Sequence, residues 1–380
     1  MFDTTIRCNL NCSYCFKKKG AADILIRTAQ DAIVWLVYAS GAEKDISVYF
    51  MGGEPLLRQE LIKQVVPFGR QRCKAHGKEI TFGITTNTTL ATDEFVEYAT
   101  NSDIGFQLSL DGVPEVQNDN RPLADGSPSS VLTEIAIPKI LKKQPYVMAR
   151  ACLAAANAGR LQESFHYFRN LGFTSIGFFP CEMDGWSEGA LETYEQQLGL
   201  LGGEYIQAHR DSSAISLQPL ERWFSQKPRE NRGTIPCGSG RGLVLIDTDG
   251  GIWSCSRFNS FEKETWRLGS IYGNFEDDKR SPFMSGCSED KFYAACTGCI
   301  AAKICEGGCL AENYEKTGDI YRMHPNDCEI NRIHARIGTK VHDILYGEKN
   351  PLFMEKYYPQ EWKELEKENN NDIPNEPCPA

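Results

Sequence analysis

The chain has 380 residues, 41% of them hydrophobic, with 41 basic against 51 acidic side chains and a net charge of −10. That balance argues against a nucleic-acid or anionic-membrane partner, since either needs a basic patch, and no apolar run approaches the ~20 residues of a membrane span. Fifteen cysteines with no export signal before residue 8 point to metal ligation rather than a disulfide framework, and to a reducing, oxygen-poor cytoplasm.

The predicted elements alternate. β-like runs are expected at 4–7, 46–50, 80–85, 104–110, 146–153 and 175–179, with amphipathic stretches between them. Ile33, Leu36 and Val37 mark one helical face, and Ile135, Ile140 and Leu141 a later one. Leu161, Phe165 and Phe168 mark a third, over 160–171. Six β–α units in series imply a parallel sheet with right-handed crossovers; periodicity does not say whether it closes. A long helix is expected at about 191–210, then a polar stretch at 226–233. Cysteine density rises from Cys237 to Cys328. A boundary near 225 follows, giving domains at 1–225 and 226–345 and an extension at 346–380. The charged, Asn- and Pro-rich segment 364–380 is expected to be disordered. Cys378 within it has no evident partner.

Cys8, Cys12 and Cys15 follow the first β run in one short loop, with Phe16 next. A Cys-x2-Cys pair alone suits a zinc half-site or a redox dithiol. A third cysteine four residues upstream suits neither, and no histidine lies nearby. Three thiolates cover three irons of a four-iron cubane and leave the fourth open to a small molecule.

Cys8-x3-Cys12-x2-Cys15 with an adjoining aromatic resembles the radical S-adenosylmethionine (radical SAM) enzymes. That resemblance implies a partial (βα)6 barrel of TIM type, an α/β fold with chemistry at the C-terminal strand ends. It also implies that Cys8, Cys12 and Cys15 hold a [4Fe–4S] cluster whose open iron binds S-adenosylmethionine. Met51-Gly52-Gly53-Glu54-Pro55 ends the second β run. Its glycines permit close backbone approach, and its carboxylate suits an ammonium group. In the family this motif receives the amino group of the nucleotide. Asn87, Ser109 and Asp111 end the next two runs, and by resemblance lie near the ribose and sulfonium; as residue types they equally suit turns and caps. Arg150 sits in an apolar strand and needs a partner. The resemblance supplies the methionine carboxylate; a structural ion pair is the alternative. Phe179, with Pro180, is placed beside the adenine.

Cys237, Cys255, Cys296, Cys299, Cys305, Cys309 and Cys328 form a second cassette, resembling the SPASM extension of peptide-modifying radical SAM enzymes. By that resemblance Cys237, Cys255 and Cys309 bind one auxiliary cluster. Cys296, Cys299, Cys305 and Cys328 bind another, making three [4Fe–4S] clusters in all. Cys287, another side chain or the substrate completes the first auxiliary site. Cys73, Cys152 and Cys181 read as core residues.

The family reaction starts with one-electron cleavage of S-adenosylmethionine to a 5′-deoxyadenosyl radical, which abstracts hydrogen from the substrate. It needs a reductase such as flavodoxin or ferredoxin. Anaerobic sulfatase-maturing enzymes place an acid directly after the cysteine that Cys255 matches, whereas this chain has Ser256. The expected function is therefore maturation of a ribosomally made peptide through a thioether or carbon–carbon crosslink. Formylglycine formation and a non-catalytic multi-cluster electron carrier are the alternatives. With the cluster loop at residue 8, no leader-binding domain is expected before it, so either a separate leader-binding protein is a partner or the barrel mouth alone reads the substrate.

Overall fold

The computed structural model describes residues 1–181, 185–224, 237–284, 296–302, 304–305 and 307–371. Cys287, Cys378 and the polar stretch 226–233 lie outside them.

Strands β1 (Phe2–Thr5), β2 (Asp45–Gly52), β3 (Glu79–Thr86), β4 (Ile104–Ser109), β5 (Met148–Leu153) and β6 (Ser175–Pro180) pair in sequence order, all parallel. A short β7 (Ser216–Gln218) continues the sheet beyond β6. At the other edge β8 (Leu245–Ile246) pairs with β1, and β9 (Gly251–Trp253) and β10 (Arg267–Ser270) add antiparallel. The sheet is therefore an open row with β10 and β7 at its ends.

Side chains alternate along each strand. Ile46, Val48 and Phe50 of β2 are buried, while Ser47 and Tyr49 are exposed. Val48 and Phe50 join Ile33 of α1 (Ile26–Ala39) and Val65 of α2 (Gln59–Ala75) in the main core. Further layer helices are α3 (Asp93–Asn101), α4 (Pro114–Asn120), α5 (Ser130–Lys143) and α6 (Leu161–Asn170). The opposite strand face looks into the barrel and carries Thr85, Gln107, Ser109, Arg150, Cys152 and Phe179, all part-exposed. Helix α7 (Glu188–Arg210) buries Tyr194, Leu198, Leu201 and Tyr205 at helical spacing. Helix Pro325–Gly347 lies along it, and Tyr194 Oη meets His334 Nε2 at 2.7 Å.

Some expectations shift. The first strand ends at Thr5, and Arg7 instead forms an ion pair with Asp23 at 2.7 Å. On α5 the face is one residue over: Ala136, Ile137 and Ile140 are buried while Ile135 is 58% exposed. Helix Pro359–Asn371 covers the first part of the segment expected to be disordered. The boundary at 345 falls inside helix Pro325–Gly347. The expected split at 225 is not a split in packing, because Ile246, Ile252, Leu268 and Ile330 belong to the same core as β1–β6. Among the described residues, no helix is long and apolar enough to cross a membrane.

Candidate active site

The cysteine loop leaves β1 at the C-terminal end of the sheet. It is clamped from two sides. On one side Asn11 N donates to Pro122 O at 2.7 Å, Ser13 N to Asn120 O at 2.9 Å and Ala124 N to Asn9 O at 2.9 Å. On the other, Gly53 N donates to Thr5 O and Glu54 N to Arg7 O, both at 2.8 Å. The latter contact explains the paired glycines. A Cβ on Gly53 would sit 1.9 Å from Arg7 O, and one on Gly52 2.3 Å from Thr5 O. The close approach that they permit is between two backbones.

Glu54 is engaged within the protein. Its carboxylate is buried and accepts from Leu56 N at 2.9 Å, Thr86 Oγ1 at 2.7 Å and Asn87 N at 2.8 Å. It ties β2 to the end of β3, and burial pushes its pKa up to about 7. Asn87 Nδ2 reaches Asn9 Oδ1 at 2.9 Å and Cys8 Sγ at 3.9 Å, so its amide is engaged with the loop. Asp111 is likewise enclosed. It accepts from Tyr14 Oη and from Cys152 N at 3.0 Å, and pairs with Arg121 Nε at 2.9 Å. The Arg121 guanidinium carbon lies 5.3 Å from the Tyr14 ring centre. Tyr14 and Arg121 escaped the sequence reading. Tyr14 had a signal in its place between Cys12 and Cys15; Arg121 had none.

Burial pushes the Cys8 thiol up and the Cys12 thiol up to about 11. Arg121 is the strongest charge acting on Cys12 and opposes that rise. Ser109, at the end of β4, and Arg150, within β5, are register partners. Arg150 lies 4.1 Å from the Phe179 ring centre, and burial lowers its pKa. Cys152, part-exposed on the barrel face, hydrogen-bonds Cys181, which is buried just past the end of β6. Cys73 packs with Val37 and Ile46.

The second cysteine region adjoins the first loop. Lys17 Nζ binds Asp3 Oδ2 at 2.5 Å and Asn259 Oδ1 at 3.3 Å, and the Arg257 guanidinium lies 5.1 Å from the Phe16 ring centre. Cys255 and Cys309 pack on one hydrophobic cluster that includes Trp253 and Phe258, and Cys237 is near enough to raise the Cys255 pKa. Cys296, Cys299, Cys305 and Cys328 line one cavity of about 690 Å³. Among the described residues no cysteine is in a disulfide, and no three His, Cys, Asp or Glu side chains stand close enough to hold one metal ion. A cubane takes each thiolate on a separate iron, so free cysteines in these two groups suit clusters as donor sets.

Residues 3–132 match the model of the radical SAM superfamily. The chain carries a radical SAM domain. The match to an uncharacterized protein of Methanocaldococcus jannaschii is 33% identical over 177 residues, 46% of this chain and 59% of that protein. The chain thus spans less than two thirds of that relative. A cysteine-type anaerobic sulfatase-maturating enzyme of Clostridium perfringens is 24% identical over 329 residues, covering 80% of this chain and 85% of its own. The solved structure of native anSMEcpe with bound AdoMet and Cp18Cys peptide superposes with a TM-score of 0.75 at 18% identity, covering 91% of this chain and 98% of that one. The radical SAM domain is thus followed by a Cys-rich region in a fold shared with that structure.

Proposed function

We propose that this radical SAM protein is a SPASM-type maturase that abstracts hydrogen from a ribosomally made peptide and forms a thioether or carbon–carbon crosslink. The observation that carries the reading is the position after Cys255. Ser256 stands there, buried, and the next residue, Arg257, pairs with Glu312 and Glu315 at 3.3 and 3.0 Å. A neutral hydroxyl is a poor base, and formylglycine formation needs one. Nearby carboxylates are engaged: Asp3 by Lys17, Asp111 by Arg121, Glu54 by three donors. Asp247 and Asp249, the remaining candidates, both accept from Gly251 N at 2.8 Å in the turn before β9.

The proposed binding roles follow the placement. Cys8, Cys12 and Cys15 would hold the open-iron cluster, which with S-adenosylmethionine supplies the hydrogen-abstracting chemistry when bound. Arg150 and Ser109, on the barrel face, would grip the nucleotide, and Phe179 would flank it. Gly52 and Gly53 would contribute by letting the loop close onto β2. Glu54, Asn87 and Asp111 would act by fixing the loop. Cys237, Cys255 and Cys309 would hold one auxiliary cluster, and Cys296, Cys299, Cys305 and Cys328 the other. The electron donor would be a flavodoxin- or ferredoxin-like reductase.

Sulfatase maturation is the second reading, favoured by the similarity to the Clostridium perfringens enzyme along most of both chains. The two separate in one assay. Reconstituted protein is incubated with a peptide bearing the sulfatase Cys-x-Pro-x-Arg motif and, in parallel, with Cys-rich peptides encoded beside the gene. Mass loss of two hydrogens with an internal crosslink in the latter supports the proposal. Clean formylglycine in the former overturns it. Iron analysis should give roughly twelve irons for three cubanes, and roughly eight in the Cys8, Cys12 and Cys15 triple Ala variant.

A further inference from the structure

We infer that the buried Arg121–Asp111 pair is a positioning device that fixes the cysteine loop and sets the charge felt by the iron–sulfur cluster held there. The inference rests on the cluster proposed for Cys8, Cys12 and Cys15.

Three observations meet at this pair. Asp111 joins three parts of the site through Tyr14 of the loop, Cys152 of β5 and Arg121 just after α4. Arg121 lies over the Tyr14 ring, between Cys12 and Cys15 in sequence, and its neighbours Asn120 and Pro122 accept the backbone N–H groups of Ser13 and Asn11. Both charges are removed from water: the side chains are 11% and 0% exposed. A charge pair placed there costs desolvation, which an aliphatic pair of similar volume would avoid. Its geometry does something an aliphatic pair would not. Arg121 and Asp111 both meet the loop at Tyr14, one over its ring and the other at its hydroxyl, and Asp111 also holds Arg121.

A cluster ligated by three thiolates becomes more negative on reduction. A fixed cation beside Cys12 favours the reduced form, and low local dielectric strengthens the effect. Asp111 partly offsets that cation. Removing the two charges therefore pushes the potential in opposite directions, which a general loosening of the fold does not do.

The experiment is an EPR-monitored redox titration of reconstituted enzyme without S-adenosylmethionine. Arg121→Gln should lower the midpoint potential of the loop cluster, and Asp111→Asn should raise it. Arg121→Lys should keep the potential near wild type, because the charge remains. It should nonetheless label faster at Cys8, Cys12 and Cys15 in iron-free protein, because the guanidinium no longer lies over Tyr14. If a single variant does not fold, Arg121→Gln with Asp111→Asn removes both buried charges and should again lower the potential. Shifts of the same sign in the two single variants, or unchanged potentials at full iron content, overturn the inference. A Cys8, Cys12 and Cys15 triple Ala variant that binds as much iron as the wild type overturns the cluster reading instead.

Discussion

The guanidinium of Arg150 rests on the ring of Phe179, 4.1 Å from its centre, and makes no ion pair among the described residues. A part-buried cation on an aromatic face, with no carboxylate in ion-pair reach among the described residues, is a half-finished site. An anionic ligand would complete it in bidentate fashion. Arg150→Ala is expected to weaken S-adenosylmethionine binding by about ten- to a hundredfold, from a charge-assisted bond of roughly 1.5–3 kcal/mol. The melting temperature should barely change, since no internal partner is left behind. Anaerobic equilibrium dialysis beside thermal melts checks both halves.

Gly53→Ala tests the contact between the cysteine loop and β2. The added methyl would meet the Arg7 carbonyl at 1.9 Å, and backbone on both sides must shift. A cost of roughly 1–3 kcal/mol or more is expected. The loop should also lose its seat. Iron content after reconstitution should fall by about one cubane, while the spectrum of the second cysteine region persists. Normal stability and full iron would refute the contact.

Arg257 binds Glu312 and Glu315 and lies against Phe16, linking the second cysteine region to the first loop. Its side chain is 11% exposed and that of Glu312 15%. Arg257→Ala leaves two carboxylates facing each other without a cation. A loss of about 1.5–3 kcal/mol is expected, read by chemical denaturation of iron-free protein. Arg257→Lys should recover part of it.

His334 is buried against Tyr194, and burial lowers its pKa to about 3. In the unfolded chain it titrates near 6.5. The native state therefore excludes a proton that the unfolded state takes up. Stability from this group is fully present above about pH 6.5 and is lost as pH falls toward 3, by on the order of a few kcal/mol. His334→Gln should flatten that part of the acid limb relative to wild type. An unchanged slope between pH 6 and 4 would show that His334 is not held neutral.

The parallel strands β2 to β6 were legible as short apolar, β-branched or aromatic runs between amphipathic stretches, and the three-cysteine loop because its spacing is so specific. The short strands β7 to β10 have two to four residues, too few for a period to register. Ile135 misled because 135, 140 and 141 share hydrophobicity but not the buried arc of α5. Glu54 and Asp111 show a more general limit. A carboxylate at a strand end looks the same in sequence whether it awaits a ligand or is already surrounded by donors. Thr86 and Asn87 around the first, and Tyr14 and Cys152 around the second, come from distant stretches of chain, and Arg121 from beyond the next helix. Arg121 carried no signal for the same reason.

β1 has a neighbour on each side, β2 and β8. The stem of the cysteine loop is thus an interior strand, and one of its two neighbours is Leu245–Ile246, from beyond the barrel. A chain cut at residue 225 would turn β1 into a naked border with unpaired backbone groups. Such borders recruit other strands. The excised barrel is expected to aggregate or to bind a second copy along β1. Supplying residues 237–284 in trans should suppress that association. The cysteine loop is in this sense a shared possession of both halves, and any module put in place of the C-terminal half would need a strand to lay beside β1.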